Sequence, residues 1–115
     1  MKKLFLILAF FSASAFAQNS WFDYTESDNW KYQIKTGSFE KTKDGGSILL
    51  RTMHKTNSTT NFFNASIKTV DCKKGLGKTT WKKLNGEIYS EYDFVSEGGT
   101  IASFIGDGIC FLIID

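Results

Sequence analysis

Proline is absent from this chain, histidine occurs once and cysteine twice. Without proline, internal repeat or low-complexity linker, nothing marks a second domain. One histidine and two distant cysteines cannot supply four clustered ligands, so neither a metal site nor a metal cofactor is expected. Beyond the first few residues there is no long apolar run either, so the sequence offers no membrane anchor once that stretch is removed.

That first stretch reads as an export signal. Lys2 and Lys3 form a positive start, residues 4–11 a short apolar core, and residues 12–17 a region of mostly small side chains. Ala15-Phe16-Ala17 fits the cleavage rule, so the mature chain is expected to begin at Gln18. No cysteine follows the cleavage site, which removes the means of N-terminal lipidation. The expected product is exported, periplasmic or secreted. Asn57-Ser58-Thr59 and Asn64-Ala65-Ser66 match a glycosylation pattern. The short lysine-led signal looks bacterial, and the pattern is discounted.

Cleavage also lowers the charge. The 14 basic residues become 12 with the loss of Lys2 and Lys3, against 12 acidic ones, so the formal +2 disappears. A nucleic-acid binder needs a positive field to offset phosphate, and none is present. A domain spanning residues 18–115 is small enough to profit from a covalent staple. An even cysteine count in a small exported chain reads as a disulfide, and Cys72 with Cys110 is the single pairing available. Closing that loop restricts the unfolded chain by about 4 kcal/mol in the chain-entropy treatment.

The mature chain reads mostly as strands. Residues 20–25 are aromatic-rich, and Glu26-Ser27-Asp28-Asn29 is a turn. Trp30, Tyr32 and Ile34 alternate with Lys31, Gln33 and Lys35, as in a half-buried strand. Residues 38–43 suit a further strand, with Asp44-Gly45-Gly46 as the turn after it. Residues 47–56 are apolar on both faces and read as a central strand. Phe63, Ala65, Ile67 and Thr69 mark one face of a long strand running to Cys72, and residues 73–77 form a glycine-broken connection.

Asn85-Gly86 predicts a two-residue hairpin turn that sets Leu84 opposite Glu87 and Trp81 opposite Ser90. One face of the hairpin then carries Trp81, Ile88, Tyr92 and Phe94, and the other Lys78, Lys82, Glu87, Glu91 and Asp93. After Gly98-Gly99, Thr100 can cap a helix. Ile101, Phe104, Ile105 and Ile109 follow at helical spacing. Gly106 and Gly108 each cost such a helix about 1 kcal/mol, so it is short or uses glycine for close packing on the sheet. Residues 111–114 suit a last strand. The expected fold is α+β, a single antiparallel sheet of about six strands with a C-terminal helix packed on one face.

Few constellations suggest chemistry. Gly75-Leu76-Gly77-Lys78-Thr79 resembles the end of a phosphate loop, but Cys72 stands where that loop needs glycine. His54 has neither a neighbouring nucleophile nor a third orienting group, and no Gly-x-Ser-x-Gly elbow occurs. Glu87, Glu91 and Asp93 are explained by cross-strand pairing with Lys78 and Lys82. The same pairing reduces the basic block of Lys68, Lys73, Lys74, Lys78, Lys82 and Lys83 mainly to Lys73 and Lys74. No catalytic residue is assigned. The candidate partner contacts are Trp21, Phe22, Trp30, Lys73 and Lys74, with core packing the competing role for the aromatics.

Several short stretches together resemble the surface-adhesin E family of small exported bacterial proteins. They are Trp21, Tyr32-Gln33-Ile34 followed by a lysine, Val70-Asp71-Cys72, and the run from Phe94-Val95 through Gly98-Gly99-Thr100-Ile101-Ala102-Ser103 to Ile109-Cys110. The resemblance implies an antiparallel sheet, a C-terminal helix and a disulfide between these cysteines. It also implies adhesion to host extracellular-matrix proteins, as for the founding lipoprotein, although this chain lacks the lipidation cysteine. The expected function is therefore a non-enzymatic binding module with an envelope or host-matrix protein as partner. The competing expectation is a periplasmic inhibitor or immunity-type protein acting on an enzyme such as lysozyme.

Overall fold

The computed structural model describes residues 20–114, so the expected signal at residues 1–17 lies outside the described residues. In chain order the elements are β1 (Trp21–Glu26), β2 (Trp30–Lys35), β3 (Glu40–Lys41), β4 (Gly45–His54), β5 (Thr60–Lys68), α1 (Thr69–Lys74), β6 (Leu76–Lys83), β7 (Ile88–Val95) and α2 (Ile101–Ile114). The strands form one sheet in the order β1-β2-β4-β5-β6-β7, with β3 attached to β4 beyond the end of β2. Every pairing is antiparallel. This is the α+β architecture that the alternation of apolar residues predicts.

β4 lies inside the sheet because both of its faces carry apolar side chains. Ile48 and Leu50 point to the inner face, where they meet Phe63, Ala65 and Ile67 of β5, Phe94 of β7, and Ile105, Ile109 and Ile113 of α2. Thr100 caps α2 as its type predicts, its Oγ1 accepting the Ser103 N–H at 3.0 Å. Ser103 Oγ in turn accepts the N–H of Val95 at 3.0 Å and ties the helix start to the end of β7. Gly106 then lets the helix approach the sheet, since a Cβ there would lie 2.5 Å from Phe94 and 2.9 Å from Thr79. At the far end Ile113 packs over Gly46.

Five local expectations are corrected. The long strand does not run to Cys72, because the chain turns into α1 at Thr69 and ends it at Gly75, a left-handed residue with φ 73°. Residues 111–114 are helix, not strand, since α2 continues through Cys110 to bury Ile113. Gly45 and Gly46 belong to β4 rather than to a turn, and they keep bulk away from Ile67 and Ile113. Residues 38–43 yield only the two-residue β3. The hairpin turn spans Leu84-Asn85-Gly86, with Gly86 at φ 97°, and Lys83 N–H donates to the Glu87 carbonyl at 2.7 Å.

The last change propagates into the faces. Trp81 still opposes Ser90, but Lys82 opposes Ile88, so β7 carries one extra residue at Tyr89. That residue reverses the alternation beyond it. Ile88 stands beside Lys82 on the outer face, and Tyr89 packs on Phe63 with ring centroids 4.7 Å apart. The expected Lys78–Asp93 pair forms at 2.7 Å, whereas Glu87 meets Lys83 at 3.7 Å. Among the described residues Lys82 makes no ion pair.

The Cys72–Cys110 disulfide is formed, its Cα atoms 5.5 Å apart. It joins α1 to α2, so the closing helix is clamped to the sheet by its shorter neighbour. Among the described residues no helix is long and apolar enough to cross a membrane.

Candidate functional site

α2 rises about 21 Å over its 14 residues at 1.5 Å each. It lies over the first half of β4 and the adjoining halves of β5, β6 and β7. Among the described residues, no helix lies above the other half of the inner face. There β2 contributes Trp30 and Tyr32, β4 Thr52 and His54, β5 Asn61 and Phe63, β6 Trp81, and β7 Tyr89 and Tyr92. These residues come from five neighbouring strands, which at about 4.8 Å per gap makes a surface about 19 Å across.

The rings hold one another in place. Trp30 stands edge-on to His54 at 4.9 Å, and Tyr32 edge-on to Trp81 at 6.3 Å. Trp81 also meets Phe63 at 5.4 Å and Tyr92 at 4.9 Å. Edge-to-face and tilted contacts of this kind favour a fixed arrangement over a sliding one. Two concavities open along the surface. One of about 220 Å³ is bordered by Trp30, Tyr32, Thr52, Asn61, Phe63, Trp81, Tyr89 and Tyr92, without a charged side chain. The other, of about 360 Å³, lies between Tyr32, Trp81 and Tyr92 and the first turn of α2.

This surface can offer ring faces, hydroxyls and an amide to a partner. His54 is committed to local structure, since its Nδ1 accepts the N–H groups of Thr56 and Asn57 at 3.2 and 3.4 Å. Those bonds place the proton of the neutral imidazole on Nε2. Among the described residues, no group of three or more His, Cys, Asp and Glu side chains gathers as a metal would require. The glycine-lysine stretch at residues 75–79 enters strand β6 and opens no helix.

The five residues singled out from sequence are dispersed. Trp30 belongs to the aromatic surface. Phe22 is 45 % exposed on the same face, but beside α2 with Tyr24 and Ile34. Trp21 is on the outer face, against Phe62 and under the Arg51 guanidinium at 4.5 Å. Arg51 Nε donates to Gln33 Oε1 and Gln33 Nε2 to Asp23 Oδ1, both at 2.7 Å, so Trp21 sits in a bonded outer layer. Lys73 and Lys74 are exposed on α1, which adjoins the Gly45 end of β4. Trp30 pairs with His54 at the opposite end of that strand. The lysines and Trp30 therefore do not form one patch.

Tyr32, Trp81, Tyr89 and Tyr92 were not singled out from the sequence as contact residues. The available signal was helix length: a helix of this size cannot cover a six-strand sheet whose inner face is aromatic at both ends. No protein-family model matches the chain, and no curated protein or solved structure matches it.

Proposed function

We propose that this chain is an exported, non-enzymatic binding module, adhesin-like in kind, that contacts a protein of the envelope or host matrix. The contact surface in this reading is the uncovered aromatic half of the inner face. One observation carries it: beyond α2, rings from β2, β5, β6 and β7 interlock, the half-buried Trp30, Tyr32 and Tyr92 and the exposed Tyr89 lying around the buried Phe63 and Trp81. Aromatic side chains on a rigid frame are the residues that protein interfaces favour. Export is supported by the signal-like residues 1–17 and by the disulfide, which suits a periplasmic or secreted setting. The resemblance to surface-adhesin E proteins points to the same class of function.

The test uses substitutions at the rim, where burial is incomplete. Trp30→Ser and Tyr89→Ser lose ring contacts to His54 and Phe63 worth about 1 kcal/mol each, so together they should lower the unfolding temperature but leave the protein folded. Binding to immobilised host-matrix proteins and to envelope proteins should fall at least tenfold. Undiminished binding by the doubly substituted protein would remove this surface from the account.

A further inference from the structure

α2 carries a single charged side chain, Asp107, in its 14 residues. A helix this apolar on every side is ordinarily buried. One ridge of it is nevertheless open to solvent. Phe104, Asp107, Phe111 and Ile114 follow one another along it at spacings of three and four, and Phe111 and Ile114 are each 66 % exposed. The Asp107 carboxylate is already engaged, accepting the Ser96 hydroxyl at 3.2 Å and the Glu97 N–H at 2.9 Å. Past Asp107 the described ridge is wholly apolar.

Charge is sorted around that same end of the helix. Ile113 packs over Gly46, and Lys41 of β3 pairs with Gly46, so Lys41 shares the helix-bearing face of the sheet. From the other side of β4, the Cys72–Cys110 bond holds α1, whose exposed side carries Val70, Lys73 and Lys74. Among the described residues none of these three lysines makes an ion pair. The acids of the same segments are turned elsewhere. Glu40 pairs with Ser47 on the outer face, Asp44 borders an outer concavity, and Asp71 accepts the Lys78 N–H. Asp115, outside the described residues, sets one negative charge against the three positive ones.

We propose that the C-terminal half of α2, flanked by α1 and β3, docks on the surface of an anionic phospholipid bilayer. Exposed apolar side chains between unpaired lysines are the complement of such a surface. Phe111 and Ile114 enter the boundary of headgroups and acyl chains, and Lys41, Lys73 and Lys74 meet phosphate. The apolar groups stand on a convex ridge, which a fluid bilayer accommodates without a matching groove. α2 rises about 21 Å, short of the hydrocarbon core of about 30 Å, so it lies on the bilayer without crossing it. Docking leaves the aromatic surface open, because Trp30 pairs with His54 and Lys41 with Gly46 at opposite ends of β4. The proposal concerns a different end of the molecule from the protein-binding reading and stands apart from it.

Co-sedimentation of the oxidised mature protein with vesicles decides it. One set of vesicles is phosphatidylcholine alone, and the other contains a quarter phosphatidylglycerol. Binding to the anionic set should be at least tenfold tighter and should weaken as salt is raised. Phe111→Ser with Ile114→Ser, both at exposed positions, should weaken it at least tenfold. Lys74→Gln should weaken it about fivefold. Lys82→Gln, which removes an unpaired lysine from the outer face, should leave it unchanged. Equal binding to both sets, equal loss from Lys74→Gln and Lys82→Gln, or no binding to either set would overturn the site. So would a dimer in sedimentation velocity that the serine pair dissolves, which gives the ridge to a second copy. Binding to polyglutamate without binding to vesicles would overturn it in favour of an acidic protein. None of these results bears on the Trp30→Ser and Tyr89→Ser test of protein binding.

Discussion

Tyr24 shows how one inserted residue serves the packing of the helix. β1 carries an extra residue between Asp23 and Thr25, and Tyr24 stands at that irregularity. Its hydroxyl donates to the Phe104 carbonyl at 2.8 Å, and its ring stacks on that of Phe104 at 4.8 Å. Burial, and secondarily the Asp107 carboxylate, raise its pKa above the ordinary phenol value near 10. The sign follows from linkage: the neutral phenol's contribution is complete below pH 10 and is lost as pH rises through the raised folded value. Tyr24→Phe should therefore cost about 1 kcal/mol at neutral pH. It should also flatten the stability loss seen above pH 10 in denaturant titrations. Gly106 answers to bulk. Alanine there gains about 1 kcal/mol of helix propensity but drives a methyl into Phe94 and Thr79, an overpacking cost of about 1–3 kcal/mol. Gly106→Ala should lower the urea midpoint, and a raised midpoint would mean that the helix can lift without penalty.

At the level of elements, α1 is the least readable piece and α2 the most informative. Thr69-Val70-Asp71-Cys72 begins with two β-branched residues, so local propensity reads it as strand. Six residues are too few for a helical period to show. Asp71 helps place α1, accepting the N–H of Lys78 at 3.2 Å, and that long-range contact carries no local signature. α2 announced itself through Thr100, and the pairing of Cys72 with Cys110 was open to arithmetic alone. Its C-terminal residues read as strand because Phe111, Leu112, Ile113 and Ile114 are β-prone. Only Ile113 of these is buried, while Phe111 and Ile114 are each 66 % exposed. Replacing both cysteines by alanine should cost up to about 4 kcal/mol. Hydrogen exchange should accelerate first in α1 and in the second half of α2. Uniform acceleration across all strands would show that the clamp holds the whole sheet and not the two helices.

For the whole molecule, the sheet and its covering helix were legible because apolar alternation has a period that survives without tertiary information. The hairpin register was legible up to Trp81 opposite Ser90 and failed beyond it, where a three-residue turn replaced a two-residue one. That single residue moved Tyr89 onto the inner face and completed the aromatic surface. That the helix is too short to cover the whole sheet follows from its length, but where along the sheet it lies was not legible, since that depends on where Gly106 and Ile113 find their partners. Trp81 is buried at 6 % exposure, as its face of the hairpin implies, while Tyr92 is half-buried at the edge of the helix. The central claim is that the molecule meets its partner through this edge, and photocrosslinking tests it most directly. A photoreactive residue at Tyr89, at Trp21 or at Lys74 would be introduced into the exported protein in cells. The account predicts covalent partner adducts from Tyr89 and none from Lys74 at the other end of the sheet. Adducts from Lys74 or Trp21 with none from Tyr89 would contradict it.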